Sequence, residues 1–317
     1  MSRKVLITSR SFGKIGNDAQ QVLLDAGFEI VNKSVGFDQG EFERIIPEFD
    51  ALIIGAHDFS EADMERCPKL KIICKHGVGL DNIHVNKARE LGIAVCNAPG
   101  TNSNAVADLT LGLMLSVARK INASSRLVRQ GVWKSAIGED VCGKTLGLLG
   151  FGAIAKNVAR RARGFDMKIL AYDPYVSSLP EAFADFVELT DLETVLRQAD
   201  FLSVHMPLTA DTKNMINAEA MAKMKPGAYV INTARGGIVN EKDLYDALVS
   251  GHLRGAAMDV VEKEPMTADH PLLELDNVVV TPHIGMYSKE AINAVSMICA
   301  ENVAACFVGA PLRNQVV

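Results

Sequence analysis

Short runs of β-branched and apolar residues alternate along this chain with stretches of helical period, the mark of a parallel sheet with crossover helices. In the N-terminal third the runs are KVLITS, EIVNKS, ALIIGA, KIICKH and IAVCN. The segment NDAQQVLLDAG between the first two reads as a helix stopped by Gly27. NAPGTNSNAV then breaks the alternation with Pro99 and Gly100, and Ser103 or Asn104 can cap the apolar helix that follows. A hinge is expected there. A second series runs through KTLGLLG, MKILAYD, DFLSVHMP, AYVINTARGG, LRGAAMDV and NVVVTPH. The closing segment SKEAINAVSMICAENVAACFVG reads as one amphipathic helix with Ser288 as N-cap and Gly309 at its end. Having no sheet of its own, it is expected to pack back on the first series. The pattern predicts an α/β chain of two doubly wound parallel-sheet domains joined by two hinge segments. One is discontinuous, residues 1–98 and 288–317; the other is 99–287.

Composition narrows the class. Of 317 residues, 48% are hydrophobic and 22% charged, the balance of a packed globular protein and not of a disordered one. The net charge of -5 comes without a basic block, so nucleic acid is not expected and the partner is a small molecule. The six cysteines show no metal-ligand spacing and read as free thiols in a reducing cytoplasm, with no metal site. The N-terminal apolar run, Val5 to Ile7, is too short for a signal peptide. Ala105 to Ala118, interrupted by Asp108, falls short of the roughly 18 residues that begin to suggest a membrane span. No membrane association is expected. Apolar on nearly every side, that tract reads as a helix buried all round, by the core of its own domain or by a second subunit.

GLLGFGAIA carries the first chemistry. Gly150, Gly152 and Ala155 fill G-x-G-x-x-G/A between a strand and a helix, where glycines let the backbone approach a pyrophosphate seated on helix N-terminal amides such as those of Ala153 and Ile154. The next strand ends in Asp173, about 20 residues on, where a carboxylate accepts hydrogen bonds from the ribose hydroxyls and repels a 2'-phosphate. No arginine follows in DPYVSS, so NAD is expected rather than NADP. A turn that merely packs helix on strand leaves Asp173 unexplained.

Ligands of open parallel sheets bind at the carboxyl edges of the strands. In the second series those edges carry His205, Arg235, Asp259, Glu264 and His283. An arginine can clamp a carboxylate, a histidine can pass a proton, and a glutamate beside it favours the imidazolium. Hydride transfer to a carbonyl needs that set beside a nicotinamide. A lone histidine at a strand end is more often structural, but His283 has this company.

KHGVGLDNI, GTNSNAVADLTLGLML, GKTLGLLGFGAIA, AYDPY, MKPGAYVINTARGGIVNEKDL, GAAMDVVEKEP and TPHIG, in this order from about residue 70 to 290, resemble the D-2-hydroxyacid dehydrogenase family, in particular its phosphoglycerate-dehydrogenase-like members. The resemblance implies a flavodoxin-like substrate domain and a Rossmann cofactor domain joined by paired hinges, in a homodimer held through the cofactor domain. It implies that Arg235 binds the substrate carboxylate, that His283 transfers the proton with Glu264 beside it, and that Val78 and Gly79 offer amides to the same carboxylate. It also implies that Asp259 holds the nicotinamide carboxamide and that Thr233 and Ala234 line the cofactor. The expected cofactor set is completed by Gly150, Gly152, Ala153, Ile154, Asp173, His205, Met206, Pro207, Thr212 and Gly285. The substrate is expected to be a 2-oxo or (R)-2-hydroxy acid.

Departures from the family pattern are few. Ala155 replaces the third glycine, His84 stands in DNIH where many relatives have aspartate, and Met286 and Tyr287 follow the catalytic histidine in place of smaller residues. The chain stops at Val317, short of the regulatory domain that some phosphoglycerate dehydrogenases carry, so serine feedback through such a domain is not expected. Two other readings compete: a dinucleotide-sensing, corepressor-like interaction protein on the same scaffold, and formate dehydrogenation, for which the resemblance implies glutamine in place of Glu264. In the first domain, Arg10, His57, Lys75 and His76 follow strands and are expected to line an interdomain cleft as a basic rim. Each alone is readily a solvated charge or a loop hydrogen bonder. Together they favour a distal anion or strongly polar group, 3-phosphohydroxypyruvate first and hydroxypyruvate second.

Overall fold

The computed structural model describes residues 2–317. The chain divides into two compact units, one comprising the residues up to Asn102 together with Met286–Val317, the other Ser103–Gly285. The divisions lie a few residues from the expected 98/99 and 287/288. The turn around Pro99 and Gly100 stays with the first unit, and the second begins where the helix Ser103–Ala118 starts.

The first unit holds five parallel strands: β1 (Arg3–Ile7), β2 (Phe28–Asn32), β3 (Ala51–Ile54), β4 (Ile72–Lys75) and β5 (Ala94–Cys96), in the order β2-β1-β3-β4-β5. The β3 run Ala51–Ile54 is buried on both faces, as a central parallel strand between helical layers must be. One layer is the helix Lys289–Val308. Its cap is as expected: the Ser288 side chain accepts from the Ala291 amide, and Gly309 closes the helix at φ 69°. Its length and composition would allow a membrane span. Half of its most apolar window is nevertheless buried, with Val295, Cys299 and Val303 packed among Val5, Ile7 and Ile72. Each such aliphatic side chain contributes about 1.5–3 kcal/mol by leaving water.

The second unit has seven parallel strands: β6 (Thr145–Leu149), β7 (Lys168–Tyr172), β8 (Val187–Leu189), β9 (Phe201–Val204), β10 (Ala228–Asn232), β11 (Leu253–Met258) and β12 (Val278–Val280), ordered β12-β11-β10-β9-β6-β7-β8. The pattern missed β8, three residues at the edge with too few side chains to show a period. Strand order reverses between β6 and β9, the switch point at which such sheets take ligands. Within the single chain the helix Ser103–Ala118 is buried on one side and leaves a stripe open. Val106, Leu113, Met114 and Val117 face the core, whereas Asn104, Asp108 and Gly112, four residues apart, form an exposed stripe where Asp108 pairs with Arg161.

Candidate active site

Register builds the site. Tyr172, Leu149, Val204, Asn232, Met258 and Val280 are paired across six neighbouring strands, so the residues that follow them, Asp173, Gly150, His205, Thr233, Asp259 and Thr281, form one rim. Positions scattered over more than a hundred residues are thereby lined up at one edge.

The dinucleotide end lies at β6 and β7. Gly150 has φ 91°, and a Cβ there would stand 2.8 Å from the His205 carbonyl oxygen. Only glycine fits. The helix Ala153–Ala162 opens at Gly152 with no side-chain cap, leaving its first-turn amides as donors, and the space beside Gly152 is open. Asp173 accepts from the Phe151 amide at 2.8 Å and from the Tyr175 amide at 2.9 Å, which ties the fingerprint loop to β7. Each oxygen keeps a second lone pair for a ribose hydroxyl. His205 donates to or accepts from Ser203 Oγ at 2.9 Å through Nε2, while its buried Nδ1 has no partner among the described residues. Burial pushes this imidazole down to about 3, so the ring is neutral. An uncapped helix end, a cradle closed to Cβ and an orphaned buried nitrogen fit a dinucleotide. Met206 and Thr212 are buried, and Thr212 Oγ1 donates to the Pro207 carbonyl at 2.7 Å, shaping the loop after β9.

Replacement of Asp173 removes the 2'-phosphate repulsion but also loosens this loop. Asp173→Ser is expected to raise the NADP:NAD ratio of kcat/KM at least about tenfold, and Asp173→Asn, which keeps an acceptor, to lose less NAD affinity than Asp173→Ser. A wild type already preferring NADP would contradict the assignment.

The reacting end lies at β10, β11 and β12. Asn232 is fully buried; its Oδ1 accepts from the Ala234 amide at 3.0 Å and its Nδ2 donates to the Arg235 carbonyl at 2.9 Å. Sequence reasoning passed over this residue, although an amide at the end of an apolar strand was its signal. Thr233 Oγ1 meets Thr110 Oγ1 at 2.9 Å, and Arg235 Nη1 donates to the Ala234 carbonyl at 2.7 Å, orienting the guanidinium. Gly285, also among the expected cofactor contacts, donates its amide to Asp259.

Asp259 is the organiser of the histidine loop. Oδ1 accepts from Thr281 Oγ1 at 2.5 Å and from the Ile284 amide at 2.8 Å; Oδ2 accepts from the Gly285 amide at 2.8 Å. Burial raises its carboxyl pKa, with these donors and His283 opposing. Between the anchors sits His283 at φ 53°, a conformation side chains other than glycine seldom hold without compensation. His283 Nδ1 stands 2.8 Å from Glu264 Oε2. A carboxylate only accepts, so Nδ1 carries a proton and Nε2, which has no protein partner among the described residues, is the atom presented outward. Burial pushes the Glu264 carboxyl up, but the His283 hydrogen bond and charge, the Val261 amide and the Arg235 charge outweigh it and leave it below its ordinary value. Glu264 is therefore ionised at neutral pH.

In the first unit the amides of Val78 and Gly79 donate to no described residue. The loop that carries them is pinned by Asn97 Nδ2 on the Val78 carbonyl, 2.7 Å, and by the Ala98 amide on the Gly77 carbonyl, 2.9 Å. Lys75 Nζ donates to the Gly55 carbonyl and to Asn82 Oδ1, both at 2.6 Å. His57 donates through Nδ1 to the Asp58 carbonyl, accepts from Thr8 Oγ1 at 2.7 Å and stacks on Phe37. Burial lowers its pKa, against the Asp58 carbonyl and with the Lys75 charge. His76 lies buried between Ser11 and Ser296, and Arg10 is exposed with no hydrogen bond or ion pair to a described residue.

A Rossmann-type sheet with an oriented arginine and a Glu–His pair at its carboxyl edge is the site of a nicotinamide-dependent oxidoreductase. Residues 111–285 match the model of the D-isomer specific 2-hydroxyacid dehydrogenase NAD binding domain, and the chain belongs to that family of NAD-dependent enzymes. It is 44% identical over 294 residues to a hydroxypyruvate reductase of Thermotoga maritima, covering 91% of this chain and 94% of the relative. Against a D-3-phosphoglycerate dehydrogenase of Archaeoglobus fulgidus it is 41% identical over 95% of this chain, but spans only 58% of that longer protein. A crystal structure of a Thermus thermophilus protein matches with a TM-score of 0.91 at 35% identity, covering 99% of this chain and 100% of that one.

Proposed function

We propose that the chain reduces a short polar 2-oxo acid, hydroxypyruvate first, to its (R)-2-hydroxy acid with NADH, and runs the reverse with NAD. What carries the reading is the His283–Glu264 pair at 2.8 Å with Nε2 unengaged. NADH, when bound, supplies the hydride. Arg235 holds the carboxylate, and the Val78 and Gly79 amides of the first unit are donors of the kind a carboxylate takes; the protonated His283 gives its Nε2 proton to the carbonyl oxygen and is reprotonated from solvent, with ionised Glu264 accepting from its Nδ1. The order of substrates departs from the basic-rim argument. Lys75 is committed to Gly55 and Asn82, and His57 and His76 are held neutral by burial, which leaves Arg10 as the exposed cation of that rim. A distal hydroxyl suits such a rim better than a phosphate dianion. Initial rates with NADH against hydroxypyruvate, 3-phosphohydroxypyruvate, glyoxylate and pyruvate test this: kcat/KM highest for hydroxypyruvate is expected, and highest for the phosphorylated acid would overturn it. No turnover of any 2-oxo acid would favour the corepressor-like reading.

The finer expectation on partners is a homodimer through the cofactor domain. Its support is the helix Ile121–Arg129, which has no buried side chain, with Trp133 and Ile137 beyond it each 91% exposed. Exposed apolar area on that scale marks an interface. Sedimentation velocity is expected to give twice the chain mass, reverting to the chain mass in Trp133→Glu; a wild type already at the chain mass would contradict it. The six unpaired cysteines, four of them buried, fit a reducing cytoplasm.

A further inference from the structure

We infer that Glu241 is a positioning residue for the reaction, one carboxylate that staples both ends of the loop carrying Glu264. The inference rests on the acid–base reading of Glu264 and His283 and goes beyond it. Glu241 opens the helix Glu241–Val249 and is itself buried. Its Oε1 accepts from the Glu262 amide at 2.6 Å, and Glu262 Oε1 accepts in return from the Glu241 amide at 3.2 Å. Its Oε2 lies 3.2 Å from His270 Nε2. The Leu272 amide donates to His270 Nδ1, so the neutral ring carries its proton on Nε2 and donates to Glu241. Residues 262 and 270 are thus fixed to the same side chain, with Glu264 between them.

The near end of the loop is held from a second side. A Cβ on Gly236 would fall 1.9 Å from the Val261 carbonyl oxygen, so the turn after Arg235 presses directly on the backbone that leads to Glu264. Glu264 and the Lys263 before it are exposed, and little else of the segment is buried. An exposed loop of this kind has no core of its own to set the position of a carboxylate. Burial raises the Glu241 carboxyl pKa despite the Glu262 amide and His270, which marks a group retained at a desolvation cost. Glu241 touches neither His283 nor Arg235; it acts through the loop.

The test uses the full-length enzyme with NADH and hydroxypyruvate. Glu241→Ala releases both ends and is expected to lower kcat at neutral pH by no more than Glu264→Gln does, about tenfold. NAD affinity is expected to stay within about twofold of wild type and the alkaline limb of the kcat profile to move toward that of Glu264→Gln. Glu241→Gln keeps an acceptor for the Glu262 amide but turns an N–H toward His270, and His270→Ala removes that same end. Each is expected to cost about tenfold or less, and the double variant no more than the larger single one. These two variants carry the test if Glu241→Ala does not fold. Wild-type kcat and limb in Glu241→Ala, or additive losses in the double variant, would overturn the staple while leaving the Glu264 assignment standing. An unmoved limb in Glu264→Gln would sink both.

Discussion

His283→Ala is expected to lose about 10²–10⁴-fold in kcat with 2-oxo acids, the range for removal of a positioned general acid. Among the described residues the ring makes one hydrogen bond, through Nδ1 to Glu264. Its loop is held not by the ring but by Asp259, through Thr281, Ile284 and Gly285. The alanine variant therefore keeps the loop, and NAD affinity measured by fluorescence should change less than about twofold while turnover collapses. A parallel loss of NAD binding would show that the ring organises the cofactor rung instead of serving the proton. Alanine also relieves little of the left-handed backbone at position 283, so a large gain in stability is not expected.

Arg235→Lys should be nearly as damaging. The guanidinium is oriented by its Nη1 bond to the Ala234 carbonyl, and the turn that carries it is held by Asn232, which accepts from the Ala234 amide and donates to the Arg235 carbonyl. A planar fork fixed in this way meets a carboxylate with two parallel hydrogen bonds, whereas an ammonium offers a point charge on a mobile stem. Loss of one charge-assisted bond corresponds to roughly 2–3 kcal/mol, about 10²-fold in kcat/KM. The loss should fall on substrates in both directions and spare NAD affinity. A lysine variant within threefold of wild type would mean that the carboxylate is held elsewhere.

Much of this was legible in the sequence because parallel sheets write themselves locally. Each central strand is an unbroken apolar run, and each functional residue follows one at once: Gly150 after Leu149, Asp173 after Tyr172, His205 after Val204, Asp259 after Met258. What escaped depends on partners distant in sequence. β8 is too short to show a period, and the exposed stripe of the helix Ser103–Ala118 reads as apolar because Gly112 counts with the hydrophobic residues around it. The basic rim was visible as residue types, but nothing in the sequence tells that Lys75 reaches Asn82 and Gly55, or that His57 lies between Phe37 and Thr8. Asp259 was assigned to the cofactor alone; its three donors come from residues 281–285, a relation that only the β11–β12 pairing creates. Glu241 and His270 were not singled out at all, since neither follows a strand.

The central claim is that His283 and ionised Glu264 act as one proton-donating unit. Glu264 is held below its ordinary value in part by the His283 hydrogen bond and charge, so an ionised carboxylate accepts from His283 Nδ1. Reduction needs the protonated ring, so activity is present at low pH and lost as pH rises through the titration of the pair. The direct measurement is the pH dependence of kcat for reduction in wild type and Glu264→Gln, with NADH saturating. The alkaline limb of the variant is expected to move to lower pH, with kcat below the limb much less affected. Superimposable limbs in the two proteins, or a shift to higher pH, would contradict it.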